Sequence, residues 1–363
     1  MNLIFYRMHT NIAFNRKGPG KVPGTAILIF ILLTSVSCMR TVYVPVLKPA
    51  PVHIGSHIQS VAVIDRATPV DDTLRVIDAL TASIPNLNRE ASQKAVDGLV
   101  INLHRSPGYN VIRSAERLTT PAVRGNWPPP MSWDEVEELA AKYDSDAIIV
   151  LELFNSEFIL TNGATKLPPK TEGGGLEILR RRFYAEGIAG VKLGFRIYDL
   201  HMKSIADEYM FNHNSRIAVE GNALQVAAGG LVDHRRAVND ASFHSGRIYA
   251  DRISPQWLRL NRDFFTKGRF NRDFKIGVRR ATINDWEGAR EAWHESVNSR
   301  RRKTAGRSAY NLALMYEIAG DLELAREWAQ HSYTDFRIRK ARQYVYKLDR
   351  RIREQRIIEN QMQ

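Results

Sequence analysis

A chain of 363 residues offers one thiol, Cys38. It stands just past the apolar run Ala26-Ile-Leu-Ile-Phe-Ile-Leu-Leu33, behind a leader that carries Arg7, Arg16, Lys17 and Lys21 and no acids. A lone cysteine cannot close an intrachain disulfide. Even extended to Val36, the run falls short of the roughly 20 apolar residues that span a bilayer; it fits the roughly 7 to 15 of a signal-peptide core. The chemistry this placement predicts is lipidation of Cys38, which holds a chain at a membrane because each buried methylene contributes about 0.8 kcal/mol. A buried free thiol in a short core helix and a plain cleaved secretory signal are the other readings of the same residues.

Other reactive constellations are missing. His294-Glu295 is followed by Asn298 where a metalloprotease helix needs its second histidine. Gly173-Gly-Gly175 leads into Leu-Glu, not Lys-Ser/Thr, so it reads as a loop and not as a phosphate cradle. There is no Gly-x-Ser-x-Gly elbow, the ten histidines show no metal-ligand spacing, and the acid pairs Asp71-Asp72 and Glu137-Glu138 fall on polar ground. No catalytic residue, metal or cofactor is therefore expected, and the chain reads as a non-enzyme. The basic runs Arg180–Arg182, Arg279-Arg280, Arg300–Lys303 and Arg350-Arg351 lack the interleaved aromatics of an RNA-binding motif. A solvated helix face is the plainer reading, and no nucleic-acid partner is expected.

The segment Leu33-Thr-Ser-Val-Ser-Cys38 resembles the lipobox of bacterial lipoproteins, with Ser37 in the small-residue position and Ser35 where an aliphatic residue is usual. Met8 offers a second start. The resemblance implies a mature chain that begins at an acylated Cys38. Met39-Arg-Thr-Val follows without an acidic surface-export signal, which implies a periplasm-facing position, on the outer membrane of the cell envelope.

Four segments emerge: a signal peptide (1–37), an extended tether (38–57) marked by Pro45, Pro49 and Pro51, an α/β domain (58–260) and a helical domain (261–363). In the α/β domain, Ser60–Asp65 reads as a buried strand, Arg89–Leu103 as an amphipathic helix and Tyr109–Arg113 as a strand. Ser132 and Glu135 form a capping-box signature for a helix over Trp133–Tyr143, and Ala147–Phe154 reads as the next strand. Strand and helix alternate, which predicts a mixed sheet with flanking helices. A loop over Thr161–Arg182, a hairpin turning at Asp199–Lys203, a helix near Asn222–Ala241 and a packed exit at Pro255 and Trp257 complete the domain.

The helical third repeats. Asn284-Asp-Trp286, Ala289, Trp293 and Ser296 lie on Gly320-Asp-Leu322, Ala325, Ala329 and Ser332 at an offset of 36 residues, near the tetratricopeptide period of about 34. Trp286, Ala289, Trp293, Leu312, Ala313, Tyr316, Gly320 and Ala325 are the expected packing residues of tetratricopeptide-like helix pairs, with an ordinary helical hairpin as the alternative. A last helix, Ile338–Ile358, is expected to cap them.

Charge divides the chain at the same place. The net +13 of the whole becomes zero over Cys38–Asn261, while the stretch from Arg262 onward has 23 Lys/Arg against 14 Asp/Glu. Ser60–Arg66, Trp133–Leu139 before Asp146–Glu152, and Arg252–Trp257 leading to Asp285–Trp293 are similar to a family of Bacteroidota lipoproteins of unknown function with tetratricopeptide ends. The element order of the α/β domain also looks distantly like that of the curli secretion pore and TolB families. These resemblances imply an architecture and an envelope location. The function they imply is a lipid-anchored docking or assembly module, with a protein partner at the helical repeats and the membrane reached through Cys38. Binding of anionic envelope polymer or lipid through the basic helices is the alternative.

Overall fold

The computed structural model describes residues 39–69, 87–118, 127–166, 170–172, 176–178, 181–221 and 234–362. Cys38, Asp71-Asp72, Gly173–Gly175 and Arg180 lie outside the described residues.

The first domain is a five-stranded mixed sheet in the order β3-β2-β4-β7-β8, where β2 is Ser60–Pro69, β3 Asn110–Arg117, β4 Ala147–Lys166, β7 Arg181–Asp199 and β8 Ser204–Gly221. β2 runs parallel to both β3 and β4, whereas β4, β7 and β8 form an antiparallel meander. Two short strands, β5 (Lys170–Glu172) and β6 (Leu176–Ile178), pair with each other. Helix α1 (Leu87–Leu103) connects β2 to β3, α2 (Trp133–Tyr143) connects β3 to β4, and α3 (His234–Ile253) follows β8.

Strand alternation fixes the two faces. Val61, Val63, Ile149, Leu151, Leu193 and Phe195 pack with residues of α1 and α3. Ala62, Ile64, Ile148, Val150 and Tyr198 meet Val136, Leu139 and Ala140 of α2. The α2 capping box forms as its sequence dictates: Ser132 Oγ accepts from Glu135 N–H, and Glu135 accepts from the Ser132 backbone. α1 and α3 cross at Gly98 and Gly246. A Cβ on Gly98 would strike the Phe243 carbonyl, and one on Gly246 the Ala95 carbonyl.

The second domain is all α, with α4 (Arg272–Thr282), α5 (Trp286–Val297), α6 (Arg302–Ala319), α7 (Leu322–Thr334) and α8 (Arg339–Met362). The molecule is thus an α/β domain of mixed sheet with flanking helices followed by an all-α domain.

Four expectations are corrected. Residues of the expected tether form β1 (Met39–Lys48), antiparallel to β9 (Gln256–Phe265). Val44 and Val46 are buried with Phe264, Phe265 and Trp293, so this ribbon belongs to the helical core. The prolines misled because Pro45 sits on an edge of a two-stranded ribbon, where a missing N–H is tolerated. The Thr161–Arg182 stretch is not a single loop: β4 continues to Lys166, β5 and β6 intervene, and β7 starts at Arg181. The helix expected near Asn222–Ala241 starts at His234 and runs to Ile253, with 222–233 outside the described residues. Trp257, expected to be packed, is 59% exposed, because it occupies the outer face of the ribbon.

Candidate functional site

Open α/β sheets commonly bind ligands beyond the carboxyl ends of their parallel strands, where successive connections part to opposite faces. Here that place lies between β2, whose crossover α1 covers one face, and β4, whose preceding helix α2 covers the other. Strand alternation carries Glu152, two residues past Val150, onto the α2 side, where β4 bulges between Leu151 and Leu153 against β7. Its buried carboxylate meets Arg66 at 3.2 Å, Arg196 at 3.7 Å and the Tyr198 hydroxyl at 2.6 Å. Burial raises the Glu152 pKa despite these partners, and it raises Tyr198 as well. On the opposite face Asp65 accepts from Ser92 Oγ at 2.8 Å and pairs with Arg117 at 3.3 Å, and burial raises its pKa too.

Raised carboxylates are what an acid catalyst needs, but these are shut in. Arg196 donates to the Pro128 carbonyl at 2.6 Å, Tyr198 Oη accepts from Met131 N–H at 3.0 Å, and Trp127 stacks on the Arg196 guanidinium at 4.7 Å. The stiff Trp127–Pro130 loop therefore fills the crevice. Gly194 lets it close, since a Cβ there would meet the Trp127 ring.

Beyond Trp127 the same face opens into a polar cleft of about 240 Å³. Asn155, Lys192 and Asn212 form one row across β4, β7 and β8, and Glu157, Gly190 and Asn214 the next. This is a solvated sheet face notched at Gly190, where a Cβ would strike the Glu157 side chain.

The expected packing residues of the helical domain converge. Trp293, Ala289, Leu312, Ala313 and Ala325 are fully buried in one core, with Trp286 and Tyr316 half-buried against it. Gly320 ends α6 in the left-handed conformation at φ 90°. The 36-residue offset reappears in detail. Asp285 and Asp321 cap α5 and α7 by accepting from the N–H three residues on, and the preceding Asn284 and Gly320 both have positive φ. Ser296 and Ser332 are both buried: Ser296 accepts from Ser308, and Ser332 donates to the Gly306 carbonyl. Gly277 makes room for the Trp293 indole.

Outside this core lies a shallow, open groove of about 610 Å³ along α4 and α5. Ile276, Gly288 and Ala292 lie among its lining, beside Arg280, Arg290, Glu291, His294 and Glu295. Arg280 crosses Gly288 to reach Asp285 at 3.2 Å, which a Cβ on Gly288 would prevent. His294 is held by Tyr316 at 2.9 Å, and burial lowers its pKa.

A deeper device joins the ribbon to the helices. Buried Glu317 accepts two 2.7 Å bonds from Arg262 of β9 and one of 2.6 Å from Tyr344 of α8. Periodicity marks Tyr344 as core but gives no sign that Glu317, on a helix of mixed polarity, is its partner. Glu152 and Arg196 were missed likewise, as polar residues inside strand patterns.

A family model described as a domain of unknown function (DUF8603) matches residues 58–265, which takes in the sheet, its helices and β9. The chain belongs to the DUF8603 family. Residues 275–350 match a second domain of unknown function (DUF6340), which covers α4 to α7 and half of α8. No curated protein matches the chain. The DUF8603 domain therefore holds the closed Glu152 network and the polar cleft, and the DUF6340 match holds the groove. Among the described residues no group of three His, Cys, Asp or Glu is placed to hold a metal, and no helix is long and apolar enough to cross a membrane.

Proposed function

We propose that this protein is a lipid-anchored cell-envelope docking module, held at the membrane through Cys38 and facing the periplasm, that receives a protein partner in the α4–α5 groove. The groove's composition carries the reading. Small and apolar residues, Gly288, Ala292 and Ile276, lie beside arginines and glutamates of both signs, as a partner helix or extended segment with apolar anchors and mixed charges requires. The helix pairs behind it are of the tetratricopeptide kind, which offers extended concave surfaces.

A non-enzymatic role agrees with the state of three of the buried acids. Asp65, Glu152 and Glu317 are each committed to an arginine and to hydroxyl donors.

Chemical crosslinking in native membranes, followed by purification in mild detergent, tests the proposal. The wild type is expected to carry a stoichiometric partner, and Glu291→Lys with Glu295→Lys to lose at least tenfold of it without a change in melting temperature. A partner retained equally by the charge-reversed protein, or a solitary wild-type monomer across growth conditions, overturns it.

A further inference from the structure

From Thr41 onward the outer face of the β1–β9 ribbon is open and carries two exposed aromatics, while Met39 and Phe265, at its first rung, pack into the helical core. Strand alternation turns Val42, Val44 and Val46 inward and Thr41, Tyr43, Pro45 and Leu47 outward. The register sets Tyr43 opposite Asn261, Pro45 opposite Arg259, and Leu47 opposite Trp257. Tyr43 is 66% exposed and Trp257 59%, and Arg259 between them is exposed. The one acid on this face, Asp263, is engaged by Thr41 and Lys340. Tyrosine and tryptophan with an apolar body and a polar tip favour a boundary between water and hydrocarbon.

The chain's path says what covers this face. Cys38 precedes the first residue of β1 by a single peptide, so the Cα that bears its thiol sits about 3.8 Å from the ribbon's first Cα. A free tether of the expected length would allow about 70 Å of reach; the ribbon removes it. Tyr43 then lies within about 17 Å of the anchor and Trp257 within about 30 Å, at about 3.4 Å per residue.

We propose that the outer face of the β1–β9 ribbon lies flat on the phospholipid bilayer, with Tyr43 and Trp257 in the headgroup layer and Arg259 on lipid phosphates. This rests on the anchoring reading above and adds an orientation to it. The body is seated on the membrane, and Tyr43, Pro45, Leu47 and Trp257 form its contact.

The test couples the chain from Cys38 onward, through that thiol, to maleimide-headgroup lipid in phosphatidylethanolamine–phosphatidylglycerol vesicles that also carry nitroxide lipids labelled near the headgroup. Tryptophan emission of the wild type is expected to be quenched. Trp257→Phe should lose at least half of that quenching, and Trp133→Phe, on α2, none. Equal quenching of wild type and Trp257→Phe overturns the proposal, as does no quenching at all, the result for an upright ribbon. Because the coupling is chemical, the outcome is independent of whether the cell acylates Cys38. Intact mass of the native protein beside Cys38→Ala decides that separately.

Discussion

Glu317 is the residue on which the helical domain depends most sharply. Its carboxylate is fully buried and bound bidentately by Arg262, while Tyr344 occupies another lone pair. Removing one member of such a set leaves a buried charge uncompensated, which costs about 3–5 kcal/mol. Glu317→Ala is therefore expected to lose that much in urea unfolding followed by circular dichroism. Arg351 makes the contrast. It lies 4.0 Å from Glu317, its Nε and Nη1 have no hydrogen-bond partner among the described residues, and burial lowers its pKa. A buried cation so poorly served contributes little, and Arg351→Met is expected to change stability by less than about 1 kcal/mol or to raise it. Equal losses from the two variants would show that the second arginine shares the load.

At the scale of elements, α1 and α3 come close because glycines stand where they cross. A methyl group on Gly246 would overlap the Ala95 carbonyl, which is helix backbone and cannot step aside as a flexible side chain does. Overpacking of this kind costs about 1–3 kcal/mol. Gly246→Ala should sit at the upper end of that range by thermal or urea unfolding, despite its better helix propensity. The crossing also shows what could be read from sequence. The α2 helix was legible to the residue, since Ser132, Glu135 and the stripe Val136, Leu139, Ala140 all point one way. The 36-residue repeat was legible because buried small residues recur with it. Gly98 and Gly246 were not, because a helical glycine looks like a defect until its neighbour is known. Continuation of β4 past Phe154 was hidden too, since Ser156 and Glu157 interrupt the apolar run, and their meaning depends on Asn88 and Gly190 from elsewhere in the chain. The Glu152–Arg196 pair was hidden because a strand pattern assigns polar residues to a face without saying which of them meet across neighbouring strands.

For the whole molecule, the decisive join is made by a strand that the chain's composition disguises. The DUF8603 match begins at residue 58 and ends at residue 265, so it contains β9 but not the strand paired with it. That strand closes the helical core, through Val44 and Val46, and the end of α8 returns to it, where Gln361 exchanges bonds of 3.1 and 3.0 Å with the Ala50 backbone. Full burial of each valine contributes about 1.5–3 kcal/mol, and ten residues of ladder pairing are added to that. Domain stability is usually only about 5–15 kcal/mol. Deleting residues 39–57 should then release the helical domain while the five-stranded sheet, whose core is nearly complete without them, stays folded. Hydrogen exchange resolved by peptide measures both halves at once. Protection in α5, α6 and α8 is expected to fall by at least a hundredfold, and that in β4 and β7 to hold within tenfold. If all peptides lose protection together, the two domains unfold as one cooperative unit. If none does, the ribbon is decoration and the membrane-facing role assigned to it would have to stand without a structural one.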